Sequence, residues 1–330
     1  MSIPVIDLEG KLDLGIATAG PAAAALYQAL STIGFAYIRG HGVAPETTAA
    51  AFAASREFHA SSLAQKQSIA INAFHRGYMG IASSTIVTSS VARVTQPNMS
   101  ESLMLMHELP PDDPALLAGE PLQGPNQWPH WLPDFRTRMA QFEREVDAVA
   151  RHIVRLITIS LGLPAHALDH HFERPTTFLR ALHYPPQEPG PDDQFGSAPH
   201  TDYGIITVLA QDSSGGLQVR PRGGDWIDAP PMDNTFVLNV GDMLARWTNN
   251  RFVSTPHRVI NRSGGDRYSL PYFFDPGMDT VIECLPTCTG AANPPHYPPV
   301  RYGDYLLERL NKNYNYRRPL DGAGTPKSSS

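Results

Sequence analysis

The sequence predicts a mainly β core, a sandwich or jelly roll, with flanking α-helices wrapped around it. Three observations carry this expectation. Short β-like runs crowd the chain after residue 175, turn signals separate them, and one long amphipathic helix precedes them. The runs cover 177–184, 205–209, 217–219, 236–240 and 268–274. Gly215-Gly216, Gly223-Gly224, Asn249-Asn250 and Gly264-Gly265 punctuate them, because glycine and asparagine accept turn backbones that other residues resist.

Earlier elements follow from the same reading. Ile3–Ile6 reads as a short strand, the Ala-rich segment around 18–32 as a helix, and 35–38 as a second strand ending at Gly40. Residues 46–68 favour a helix by composition, with Phe52 and Phe58 available for packing. From about 71 to 130 glycines, serines and prolines interrupt any periodicity, so this stretch reads as irregular. Long segments of that kind often surround a site. The clearest helix runs from Phe135 to Ser160. Phe135, Met139, Phe142, Val146, Val149, Ile153 and Leu156 alternate at steps of four and three, which puts them on one face that would cover a sheet. Gly162 and Pro164 stop it. Residues 302–313 return to helical composition, and the Gly/Ser/Pro-rich end predicts a disordered tail over 321–330. No repeat and no break in composition divides the chain. A single domain over 1–320 is therefore expected, with its jelly-roll core at about 175–280.

Composition narrows the function classes. The 330 residues carry a net charge of -6, with 42% hydrophobic and 18% charged residues, values usual for a soluble protein. No basic block supplies a nucleic-acid footprint. The first ten residues contain Asp7 and Glu9 and lack the basic start and apolar run of a signal peptide. No apolar run is long enough to cross a bilayer. The expectation is a cytoplasmic protein with neither nucleic acid nor membrane as partner, its oligomeric state left open. Two cysteines, Cys284 and Cys288, do not make a disulfide scaffold.

His200-Thr201-Asp202, followed at a distance by His257, carries the chemistry. His200 and Asp202 stand two residues apart, so on an extended strand both side chains leave the same face. His257 lies in another β-like segment and would approach from a second strand. Two imidazoles and a carboxylate on one side of a metal leave the other side open, the ligand set of non-haem Fe(II) oxygenases. Zinc accepts the same donors, so the identity of the metal rests on what surrounds them. Arg267 and Ser269 share one strand face by the same two-residue period. A guanidinium grips a carboxylate with two parallel hydrogen bonds and a serine hydroxyl adds another. Such a pair would fix the far carboxylate of an oxoacid such as 2-oxoglutarate, with Tyr184 offering a phenolic hydrogen bond to the same end.

The chain resembles the isopenicillin N synthase-like family of 2-oxoglutarate/Fe(II)-dependent oxygenases. The resemblance rests on Ile3–Leu8, Gly34-Phe35 through Gly40–Val43, Arg76–Tyr78, Tyr184–Pro186, His200–Gly204 and Gly215–Val219. Asn239–Asp242, Trp247–Asn249, Ser254–Arg258 and Arg267–Ser269 complete it, so it extends from residue 3 to about residue 315. It implies a double-stranded β-helix (a cupin-like jelly roll) with flanking helices. It also implies His200, Asp202 and His257 as Fe(II) ligands and Arg267, Ser269 and Tyr184 as cosubstrate contacts. One departure stands out. Plant members commonly carry Asn-x-Tyr before the Pro-Pro pair, and here Leu182 replaces the asparagine.

The reaction so implied consumes O2 and 2-oxoglutarate, forms succinate and CO2, and oxidises a small organic substrate, by hydroxylation in the simplest outcome. Same-family oxidases of the cyclase or ethylene-forming type retain the Arg-x-Ser pair, and a jelly-roll protein that merely binds a small ligand is the alternative outside enzymology. The substrate pocket is expected from Tyr78, Met104, Met106, His183, Phe252 and Phe274.

Overall fold

The computed structural model describes residues 2–8, 16–87, 89, 91, 94–187 and 194–317. The tail expected over 321–330 lies outside the described residues. The amino-terminal part runs through β1 (Val5–Asp7), α1 (Ile16–Thr32), β2 (Phe35–Arg39), α2 (Pro45–His59) and α3 (Leu63–Gln67). β3 (Gly77–Met79), β4 (Glu101–Met106), α4 (Pro114–Leu117) and α5 (Phe135–Ser160) follow. Then come β5 (Thr176–Tyr184), β6 (Ser197–His200), β7 (Ile206–Gln211), β8 (Leu217–Val219), β9 (Ile227–Asp228) and β10 (Thr235–Val240). The carboxy-terminal part holds α6 (Asp242–Trp247), β11 (His257–Val259), β12 (Arg267–Asp275), β13 (Val281–Ile282), β14 (Val300–Arg301) and α7 (Tyr302–Asn313).

Two sheets make the double-stranded β-helix. The larger has eight strands in the order β1-β2-β10-β7-β12-β5-β4-β3, and the smaller has four in the order β6-β11-β8-β9. Every pairing in the larger sheet is antiparallel except that of β1 with β2. Side chains alternate across a strand, so each strand of this sheet serves two layers. Leu179 and Ala181 of β5 join the large core with α1, α2 and α5. Leu182 and Tyr184 join Leu217, Val219 and Val259 of the smaller sheet in a second core between the sheets.

The helix expected at Phe135–Ser160 forms as α5, and all seven residues of its apolar stripe are at most 1% exposed. Burying a side chain of this kind contributes roughly 1.5–3 kcal/mol, so the stripe fixes α5 firmly to the core. Phe142 meets Phe236 of β10 edge-on, and Tyr272 of β12 donates to Asp147 of α5 at 2.9 Å. The helix expected over 46–68 is instead two. Ser62 accepts from the Gln65 amide while the Gln65 side chain accepts from the Ser62 amide, a capping box that starts a new helix after α2 has ended. The stretch read as irregular contains β3 and β4. Glu101–Met106 shows no polar–apolar alternation because all six residues are buried, with a strand on either side and a covered layer above and below. Among the described residues no helix is long and apolar enough to cross a membrane, and both cysteines are free thiols.

The back of the larger sheet carries a buried polar cluster. Glu101 accepts from Lys66 Nζ at 2.8 Å, from the Tyr78 hydroxyl at 2.5 Å and from His183 Nδ1 at 2.8 Å. His183 Nε2 donates to Asp266 at 2.8 Å, so both ring nitrogens face carboxylates and the imidazole pKa is raised although burial opposes it. Burial likewise works against the Glu101 charge, but the hydrogen bonds outweigh it and hold its pKa down at about 2. A folded value below the ordinary 4.5 means that Glu101 stabilises the fold fully above that value and progressively less as the pH falls towards 2. Lys66→Ala should therefore cost about 3 kcal/mol in urea unfolding at pH 7, because it strips a buried carboxylate of its cation. The same substitution should flatten the acid-dependent loss of stability between pH 4.5 and 2.

Candidate metal centre

Strand pairing builds the centre. β11 lies antiparallel to β6 with His257 directly opposite His200, and the two imidazole centroids are 4.3 Å apart. Asp202 follows two residues after His200, just beyond the end of β6. Its Oδ1 lies 3.7 Å from Nε2 of each histidine, and the three ligand atoms all fall within 4.8 Å of one another. The rings are oriented from behind. His200 Nδ1 meets the Ala198 carbonyl at 2.7 Å and His257 Nδ1 meets the Thr255 carbonyl at 3.2 Å. A carbonyl only accepts, so each ring keeps its proton on Nδ1 and turns the lone pair of Nε2 to the centre. Burial, with His257 adding to it, pushes the His200 pKa down to about 4, which leaves the imidazole neutral and ligating at neutral pH.

The carboxylate is held just as firmly. Asp202 Oδ2 accepts from Thr207 Oγ1 at 2.5 Å and from Asn239 Nδ2 at 2.6 Å, leaving Oδ1 as the ligand atom. Burial opposes its charge, but the imidazoles and these two hydrogen bonds keep its pKa below the ordinary range. Fe(II) fits this donor set: two neutral nitrogens and one anionic oxygen converge from one side.

Two chambers meet at the centre. The first is lined by Leu182, Tyr184, Leu209, Arg267 and Ser269 together with the three ligands. Arg267 is 1% exposed, its Nε donates to the Gly215 carbonyl at 2.6 Å, and its guanidinium carbon stands 4.6 Å from the Tyr184 ring centre. The Gly215-Gly216 turn makes this anchor. Gly216 has φ +86° and an added Cβ would come within 2.4 Å of the Ile260 carbonyl oxygen, so only glycine lets the chain pass. Among the described residues Arg267 Nη1 has no hydrogen-bond partner, although it is buried. An unpaired guanidinium nitrogen inside a protein is costly and marks a place for an anion, which is the fit expected of an oxoacid's far carboxylate.

The second chamber is lined by Met104, Phe178, Arg180 and Phe273 of the larger sheet, by Thr201, Asp202 and Tyr203, and by Leu306 and Leu310 of α7. Of the side chains expected to form a substrate pocket, Met104 lines this space and the others lie elsewhere. Tyr78 faces a groove on the back of the sheet and donates to Glu101. His183 is on the same back face, because it alternates with Tyr184 on β5. Met106 lies sealed in the core, its backbone paired with the Asn126 amide on both sides. Phe252 packs edge-on against Tyr27 at 5.7 Å and borders a separate groove beside Asp242 and Arg309. Phe274 stacks on Phe172 at 5.1 Å, since the phase of β12 turns Phe273 rather than Phe274 to the chamber. Arg180, Phe178 and Phe273 were not anticipated. Counting back in twos from Tyr184, or forward in twos from Ser269, would have found them.

Facing sheets, a two-histidine, one-carboxylate centre and a buried unpaired arginine beside it define a non-haem iron oxygenase. Comparison with known proteins agrees. Residues 175–276 match the model of the 2OG-Fe(II) oxygenase superfamily, and residues 3–131 match that described as non-haem dioxygenase in morphine synthesis N-terminal. The 2-oxoglutarate-Fe(II) type oxidoreductase hxnY of Emericella nidulans is 35% identical over 85% of this chain and 81% of its own. Kihadalactone A synthase LFS of Citrus sinensis is 34% identical over 94% of this chain and 93% of its own. The crystal structure of a full-length Neurospora crassa protein in complex with alpha-KG and thymine superposes with a TM-score of 0.81 at 30% identity, covering 93% of this chain and 96% of that one. The chain belongs to the 2-oxoglutarate/Fe(II) oxygenase superfamily, and it is a 2-oxoglutarate- and Fe(II)-dependent dioxygenase.

The groups behind Asp202 set metal affinity. Thr207→Val and Asn239→Ala should each weaken Fe(II) binding by about 10- to 100-fold, measured by anaerobic titration calorimetry. Unchanged binding in both would show that the Asp202 carboxylate needs no outer support.

Proposed function

We propose that this dioxygenase hydroxylates a small organic molecule. In this reading His200, Asp202 and His257 hold Fe(II), and Arg267, Ser269 and Tyr184 hold the far carboxylate of 2-oxoglutarate. The observation that carries it is the buried, unpartnered Nη1 of Arg267 in a chamber shared with the ligand triad. A purely structural protein would have no need of that combination. The Neurospora crassa structure with alpha-KG and thymine is a neighbour of the same fold holding a small ring compound alongside its cosubstrate, which supports a small-molecule substrate here.

The bound metal and oxoacid together supply the means to insert one oxygen of O2 into a C–H bond, with the other leaving in succinate as CO2 is released. The protein's own part is binding, orientation and exclusion of water. Asp202, fixed through its Oδ2, presents one oxygen and one negative charge to the metal. Arg267 cannot swing, being tied to Gly215 and laid over Tyr184, so it sets the direction in which a dicarboxylate enters. Apolar side chains of the second chamber keep competing water from the reacting carbon. No side chain has to supply or remove a proton in hydroxylation, and none is assigned that task.

Oxygen consumption and succinate formation by Fe(II)-loaded protein, with and without 2-oxoglutarate, test this reading. Turnover should require the oxoacid and should vanish in His200→Ala. Arg267→Gln should raise the KM for 2-oxoglutarate roughly 100-fold, the weight of a lost charge-assisted pair of hydrogen bonds. Oxygen uptake that proceeds equally well without 2-oxoglutarate would favour a cosubstrate-free oxidase of the same family instead.

A further inference from the structure

The inward face of β5 reads off the site in two-residue steps. Tyr184 and Leu182 border the oxoacid chamber, Arg180 borders both chambers, and Phe178 borders only the second. β12 runs alongside with Arg267 opposite Tyr184 and Phe273 opposite Phe178, so both strands pass from an anion-binding end to an aromatic end. Arg180 stands where the two meet, at the level of the metal ligands.

Among the described residues the charges at this junction do not balance without a further anion. Fe(II) and the Asp202 carboxylate leave one positive charge, and Arg267 adds a second. The two carboxylates of 2-oxoglutarate match both, so Arg180 remains over. Among the described residues its one hydrogen bond runs from Nε to the Ser102 hydroxyl at 2.9 Å, and no carboxylate forms an ion pair with it. Asp275, which also borders the second chamber, is engaged elsewhere. Its Oδ1 accepts from the Ile205 amide at 2.6 Å and its Oδ2 from the Tyr302 hydroxyl at 2.7 Å, while burial pushes its pKa up to about 7. His75 at the same wall is kept neutral by burial, its pKa well below the ordinary value. Ser84, Asn98, Ser197, Thr201 and Asn313 add uncharged polar groups to the lining, and Phe178, Phe273, Leu306 and Leu310 give it an apolar stretch.

We propose that Arg180 receives a carboxylate of the primary substrate, whose apolar body lies against Phe178, Phe273, Leu306 and Leu310. The substrate class is thus a small organic acid with a hydrophobic body, and Arg180 is its specificity-determining residue. The guanidinium takes two oxygens side by side and holds the acid end at the junction, which leaves the carbons of the body to be presented to the metal. This rests on the oxygenase reading above, with 2-oxoglutarate occupying the first chamber.

The test measures binding apart from turnover. Protein loaded with Mn(II), a stand-in for iron, and saturated with 2-oxoglutarate is titrated calorimetrically with phenylacetate, cinnamate and cyclohexylacetate. The primary amide of each serves as its uncharged partner. In the wild type at least one acid should bind about tenfold or more tighter than its amide. Arg180→Met should abolish that preference and Arg180→Lys should keep part of it, while the affinity for 2-oxoglutarate changes less than about threefold in both. Retained 2-oxoglutarate binding also shows that the variants are folded. Equal binding of acids and amides, or no binding of any acid, overturns the proposal. A loss of 2-oxoglutarate affinity in Arg180→Met that matches the loss for the acid also overturns it, by assigning Arg180 to the oxoacid. Failure of 2-oxoglutarate to bind the wild type would strike the oxygenase reading itself.

Discussion

The antiparallel pairing of β6 with β11 is the constraint on which the site depends. It sets His257 across from His200 at the inner wall of the smaller sheet, and Asp202 completes the group immediately after β6. The pairing is supported on its other side by β8, where His257 lies opposite Val219. Because that strand leads out of the Gly215-Gly216 turn, the backbone that steadies the metal ligands also anchors Arg267. Metal geometry and, in the proposed function, oxoacid orientation thus share one structural support.

Much of this was legible in the residues. His200-x-Asp202 and Arg267-x-Ser269 are legible because the period of a strand is two, and two residues suffice to put a pair on one face. The apolar stripe of α5 is legible for the matching reason at a helical period of about 3.6. What escaped has equally physical causes. β4 lies between two covered layers, so the alternation that would have announced it is absent, and its neighbourhood of glycines and prolines read as irregular. The break between α2 and α3 hangs on the local exchange of hydrogen bonds between Ser62 and Gln65, which composition averages away.

Phase was the harder matter. His183 and Phe274 are each one residue from a position that borders a chamber, and on a strand one residue is the difference between the two faces. Phe252 and Tyr78 required knowledge of how loops and an edge strand pack, which is tertiary information. Thr207 and Asn239 sit on β7 and β10, paired with each other across the larger sheet, and converge on Asp202 only after folding. A threonine and an asparagine inside β-like runs carry no sign of that duty in one sequence.

α7 brings Leu306 and Leu310 to the second chamber from the far end of the described chain, while the metal ligands and Arg267 all belong to the sheets and the turn that follows β6. One part of the second chamber's wall is therefore separate in the chain from the metal ligands. Exchange of the carboxy-terminal helix for that of a relative would reshape the reaction cavity without altering one atom of the iron-binding triad. The architecture in this way lets selectivity diverge while the chemistry stays constant.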